Sequence, residues 1–121
     1  MNYRGLELKL RKIVEKRLEE GWSVVPTSLS NLGGYIVDDL ATCCLIGAVG
    51  IESGEEKNFS CTEKAPALAR TLGASVHAVL SVEDGFENGR GNMKLFLGNG
   101  KPSEKLRAIG ARIRRDYCES K

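Results

Sequence analysis

Leu40-Ala41-Thr42-Cys43-Cys44-Leu45-Ile46-Gly47-Ala48-Val49-Gly50-Ile51 is the most apolar stretch of the chain, and it contains no charged residue. A run that is apolar on every side can be a buried strand or a helix buried between other elements. Its length favours a helix, because strands are usually shorter. Asp38 or Asp39 stands just before it, where a carboxylate can cap the first free N–H groups of a helix. Gly47 and Gly50 weaken either form, and Gly47 with Ala48 would let a neighbouring element come close. The segment therefore predicts a mostly α, compact domain of four to five helices around a buried 40–51 helix, with at most a minor β element.

The flanking sequence supplies the packing partners. Leu6, Leu10, Ile13, Val14 and Leu18 recur at helical spacing and form one apolar stripe. Glu7 with Arg11, Arg11 with Glu15, and Lys16 with Glu20 are oppositely charged and four residues apart, as on a solvated outer face. Leu8 falls off the stripe and is free to meet a partner. Gly21 stops this helix. Trp22, Val24 and Val25 before Pro26 form a short extended piece, and 28–34 reads as a loop.

Downstream, 52–64 reads as a polar surface loop. Pro66 suits the first turn of a short helix containing Ala67, Leu68, Ala69 and Leu72, which Gly73 stops. Ser75 caps another, with Val76, Val79, Leu80 and Val82 inward and Gly85 as its end. Met93–Leu97, within a glycine-rich stretch, is a strand or a short helix. The last helix opens near Ser103, after Pro102, and places Leu106, Ile109, Ile113 and Tyr117 on one stripe.

Length and composition bound the class. At 121 residues, 41% hydrophobic and 28% charged, the chain fits one globular domain, 1–121, able to bury a core without staples. No run approaches the roughly 18 apolar residues that would span a bilayer. The N-terminus lacks the apolar core of a signal peptide, so a cytoplasmic setting is expected. There the four cysteines, Cys43, Cys44, Cys61 and Cys118, stay thiols. The net charge of +2 conceals basic ends and an acidic middle, which neutralise one another or face an anionic partner.

Motifs for specific chemistry are incomplete. Gly98-Asn99-Gly100-Lys101 resembles part of a phosphate loop, but Leu95 stands where the first glycine belongs and Pro102 where Ser or Thr belongs. The cysteines and His77, the sole histidine, lack zinc spacing. No metal site and no cofactor is therefore assigned. A thiol enzyme would have to pair Cys43 or Cys44 with His77. Glu83-Asp84-Gly85-Phe86-Glu87-Asn88 places acids at a helix end, where the dipole disfavours them. Glu83 and Asp84 are acid–base candidates, and a basic side chain from the last helix is the simplest compensator.

Two resemblances add expectations. The stretch Leu68-Ala69-x-x-Leu72-Gly73-x-Ser75-x-x-x-Val79-x-x-Val82-Glu83-x-Gly85 resembles the helix-turn-helix unit of phage-repressor and Cro-type proteins. That resemblance implies a turn at Gly73 and a second helix whose start, at Val76, His77 and Ala78, reads base edges. The run Cys43-Cys44-Leu45-Ile46-Gly47-Ala48 resembles the Cys-x-x-Gly-Ala helix of small bacterial and phage proteins of unknown function. It implies a compact helical domain and carries no activity.

Three functional readings follow. The first is a protein-interaction or accessory module, with a protein partner or a second copy of the chain as its ligand and no membrane. The second is a nucleic-acid-binding regulator using Ser75 and His77 with Arg112, Arg114 and Arg115. The third is a thiol-dependent enzyme using Cys43 or Cys44 with His77.

Overall fold

In the computed structural model, residues 3–26, 33–34, 36–37, 41–55, 59–87 and 103–119 are described. The apolar segment divides in two. Thr42–Cys43 is a strand, β4, and Leu45–Glu52 is a helix, α2. β4 lies parallel to β1, Ser23–Val24, with Val24 opposite Cys43. On its other side it runs antiparallel to β3, Ile36–Val37, with Ile36 opposite Cys43. The helix expected over 40–51 is thus shortened at its start, because backbone pairing on both sides holds Thr42 and Cys43 extended. Its cap is Cys44, whose Sγ accepts from Gly47 N at 3.3 Å. The aspartate caps considered for it, Asp38 and Asp39, lie outside the described residues.

Every residue of α2 from Leu45 to Gly50 is buried, which makes this helix the centre of the domain. A second small sheet pairs β2, Gly33–Gly34, antiparallel with β5, Phe59–Ser60. The minor β element is therefore two short sheets. Part of the loop expected over 28–34 and part of that over 52–64 belong to this pairing.

The first helix, α1, spans Tyr3–Glu19 and buries Leu6, Leu10, Ile13 and Val14. The expected stripe fails at its last member: Leu18 is 39% exposed, while Arg17 is buried. Arg17 meets Glu20 at 2.9 Å and Glu52 at 3.4 Å, so two carboxylates compensate its charge beside the end of α2. Glu7 is shared between Arg11 (2.9 Å) and Arg112 (2.6 Å), tying α1 to the last helix. The guanidinium of Arg112, with help from Arg11, holds the Glu7 carboxyl below its ordinary pKa.

The helices α3, Cys61–Leu72, and α4, Val76–Phe86, form a helix–turn–helix. α3 starts a turn and a half earlier than expected, so Pro66 lies inside it rather than in its first turn. Gly73 ends it at φ +65°, and Ala74 N donates to Ala69 O at 2.9 Å. That is the closing bond of a glycine-terminated helix. Ser75 caps α4 as expected, its Oγ accepting from Ala78 N at 3.1 Å.

The last helix, α5, spans Glu104–Arg114, is capped by Ser103, and runs on into a π-helical turn at Arg115–Glu119. Leu106, Ile109 and Ile113 are buried, and Tyr117 packs partly buried against the core. Gly85 does not end α4, which continues to Phe86 with Glu87 as its C-cap. Gly85 instead admits the backbone of α5: a Cβ there would lie 1.9 Å from Arg107 O. Gly110 does the reverse, its Cβ position lying 2.0 Å from Val82 O. Met93–Leu97 and Gly98–Lys101 lie outside the described residues. Among the described residues no helix is long and apolar enough to cross a membrane.

Candidate functional site

α4 is buried along one unbroken run from Ala78 to Phe86, and its C-cap Glu87 is buried too. That run includes three carboxylates, Glu83, Asp84 and Glu87. Taking a carboxylate out of water costs several kcal/mol unless a partner compensates it. The apolar surroundings therefore make three acids in one helical turn the most costly feature of the domain.

Each acid is handled differently. Asp84 Oδ2 stands 2.6 Å from Arg107 Nε on α5, so the last helix supplies a compensating charge. The N–H does not point along that line, which makes the contact an ion pair rather than an aligned hydrogen bond. Arg114, about two turns further along α5, donates to Gly85 O (3.0 Å) and Phe86 O (3.1 Å). It caps the negative end of α4, where cations are favoured.

Glu83 reaches across to α2. Its Oε2 accepts from Ile46 N at 2.9 Å, satisfying a free N–H of the α2 N-terminus next to the one that Cys44 Sγ takes. Glu83 Oε1 is buried with no N–H or hydroxyl donor on it among the described residues, and the Glu83 side chain faces the Glu87 carboxyl. Burial above all, and then the neighbouring Glu87 carboxyl, push the Glu83 pKa well above the ordinary carboxylate value. One oxygen each from Glu83 and Glu87 and the Sγ of Cys44 lie within 4.8 Å of one another. The site is thus a buried cluster of one thiol and two carboxyls at the positive end of a helix.

The structure brings Cys44 and Glu83 together and places Asp84 one residue away, but His77 stands apart. It is exposed on the first turn of α4, whereas both cysteines are buried. Burial pushes the Cys43 thiol up to about 12, with Arg17 acting against the shift and Glu83 adding to it. A thiol so placed is a poor nucleophile. We expect iodoacetamide to modify Cys43 and Cys44 only as fast as the domain unfolds. Mass spectrometry of the native protein over time checks this, and prompt labelling at either position would contradict it. The side chain of Cys61 is outside the described ones. The sulfur of Cys118 donates to Val24 O at 2.9 Å.

The arginines read as nucleic-acid contacts each have a partner within the protein. Arg112 is paired with Glu7, Arg114 with the α4 carbonyls, and the exposed Arg115 with Asp116 at 3.1 Å. Only Ser75, Val76 and His77 are exposed near the start of α4, and the rest of the helix is enclosed. A helix that reads bases must lay an open face in the major groove.

A second feature lies on the outside. An open groove of about 560 Å³ runs between α1 and the Gly73 turn, lined by Leu6, Leu8, Leu72 and Ala74 and rimmed by Lys9 and Lys12. A neighbouring hollow continues it along α1 past Ile13 and Lys16. Leu8 is 53% exposed beside it.

Glu83 and Asp84 are legible as candidates from sequence, whereas the parts played by Glu87, Arg107 and Arg17 are not. The available signal was the four-residue spacing of Glu83 and Glu87 on a helix whose other positions are apolar. Comparison of the chain with family models, curated proteins and solved structures finds no match.

Proposed function

We propose that the domain is a protein-interaction module whose α1 face receives a partner segment with apolar residues flanked by acids. The observation that carries this reading is Leu8, 53% exposed at the edge of an apolar groove whose charged lining, among the described residues, is Lys9 and Lys12. An exposed leucine alone is ordinary on a soluble protein. Leu8 beside a groove with a cationic rim offers both an apolar anchor and a charge preference. Arg112 and Arg114 are committed to protein contacts, whereas Lys9 and Lys12 of α1 are exposed and line the groove.

Selection of displayed peptides on the purified protein tests the reading. Peptides with acids around an apolar anchor are expected to be enriched, and to bind Leu8→Glu at least tenfold more weakly. Leu8→Glu keeps a good helix former at an exposed site, so its melting temperature should stay within about 2 °C of the parent. Enriched peptides that ignore the substitution, or no enrichment of acidic peptides at all, would reject the groove. Sedimentation of both proteins shows whether a second copy of the chain is the occupant.

A further inference from the structure

We propose that Cys44, Glu83 and Glu87 form a binding site for a borderline transition-metal cation of the Zn²⁺ class, joining α2 to α4. The three donor atoms lie within 4.8 Å of one another, and all three residues are buried. A cation at their centre would lie no more than about 2.8 Å from each donor, so the side chains would have to close in by about 0.5 Å to reach Zn–S and Zn–O distances of about 2.0–2.3 Å. The second observation concerns a single atom: Glu83 Oε1 is buried with no N–H or hydroxyl donor on it among the described residues, and the side chain faces the Glu87 carboxyl. Glu83 Oε2 is already committed to Ile46 N, which fixes the carboxylate in place and leaves Oε1 for a ligand.

The donor set selects the ion. Ca²⁺ takes six to eight oxygens and Mg²⁺ keeps several waters, so neither suits three buried donors of which one is sulfur. One thiolate and two carboxylates fit Zn²⁺ and its spectroscopic substitute Co²⁺. Gly47 N–H already points at the sulfur, the kind of outer contact that orients a thiolate ligand. Binding would release to solvent the proton of the Cys44 thiol and any proton held between the two carboxyls, so affinity would rise with pH.

The test uses the full chain without an affinity tag, stripped with chelator and titrated with Co²⁺ and then Zn²⁺. The expected result is one Co²⁺ per chain with a sulfur-to-cobalt charge-transfer band in the near ultraviolet. Zn²⁺ should displace it and raise the melting temperature by several degrees. Cys44→Ser keeps a good helix cap and should abolish the band. Glu83→Gln and Glu87→Gln keep the shapes of the protonated acids, so they should melt no lower than the metal-free parent, bind Co²⁺ at least tenfold more weakly, and lose the Zn²⁺ shift. A parent that binds no stoichiometric Co²⁺ overturns the proposal and leaves a shared proton as the occupant. A band that survives Cys44→Ser, or folded glutamine variants that bind as the parent does, overturns it equally.

Discussion

Gly110→Ala is expected to destabilise the domain by about 3 kcal/mol or more, the upper range for forcing atoms into a packed core. Helix propensity alone predicts the opposite sign, because alanine is favoured over glycine by about 1 kcal/mol inside a helix. Contact geometry decides between them. The new Cβ would sit 2.0 Å from Val82 O and 2.6 Å from Phe86 N, both backbone atoms of α4. A side chain could rotate away; a helix backbone can yield only if the two helices separate. Separation would expose Leu106, Ile109 and Ile113 and the buried acids together. Gly85→Ala meets the same obstacle from the other side, at 1.9 Å from Arg107 O. Gly73→Ala is the contrast. Its neighbour is the flexible Lys9 Nζ at 3.8 Å, so it pays only the strain of φ +65°, about 1–2 kcal/mol. Urea unfolding of the three variants should rank Gly110 and Gly85 well below Gly73. Wild-type stability in Gly110→Ala would show that α4 and α5 do not meet backbone to backbone.

Arg107→Met is expected to cost about 3 kcal/mol, the lower end of what breaking a buried ion pair costs. The guanidinium is 39% exposed but its partner Asp84 is 1% exposed, so the loss strands the carboxylate and not the cation. Methionine keeps the aliphatic stem and its packing, which confines the change to charge. Adding Asp84→Asn should recover most of the deficit, since the amide removes the stranded charge. The measurement is a double-mutant cycle in urea with the two single variants and the pair. Additive effects would mean that Asp84 finds its compensation elsewhere, for example at the Arg114-capped end of α4.

Much of the architecture was legible in local pattern. The α1 stripe, the Ser75 and Ser103 caps, the Gly73 stop and the apolar row of α5 all follow from spacing within a few residues. Such signals act over one or two helical turns, and each of these contacts is local. Leu8 was legible for the same reason: it falls off a stripe that its own neighbours define. The expectation of a basic partner for the acidic turn was also sound, and Arg107 fills it.

What the local pattern missed depends on residues far apart in the chain. Thr42 and Cys43 are extended because β1 and β3 pair with them, and neither strand is visible in the composition of 40–51. Arg17 replaces Leu18 at the core because Glu52 is there to meet it. Gly85 reads as a stop until α5 arrives to use its missing side chain. Glu83 reads as a solvated acid until Ile46, 37 residues away, offers it an N–H. Local hydrogen bonding and periodicity fix most of the helices and their apolar faces. The meeting of Cys44, Glu83 and Glu87 in one buried cluster depends on contacts between distant segments. Their burial is set by the close backbone contact of α4 with α5 and by the free N–H groups of α2, and neither exists until the helices pack.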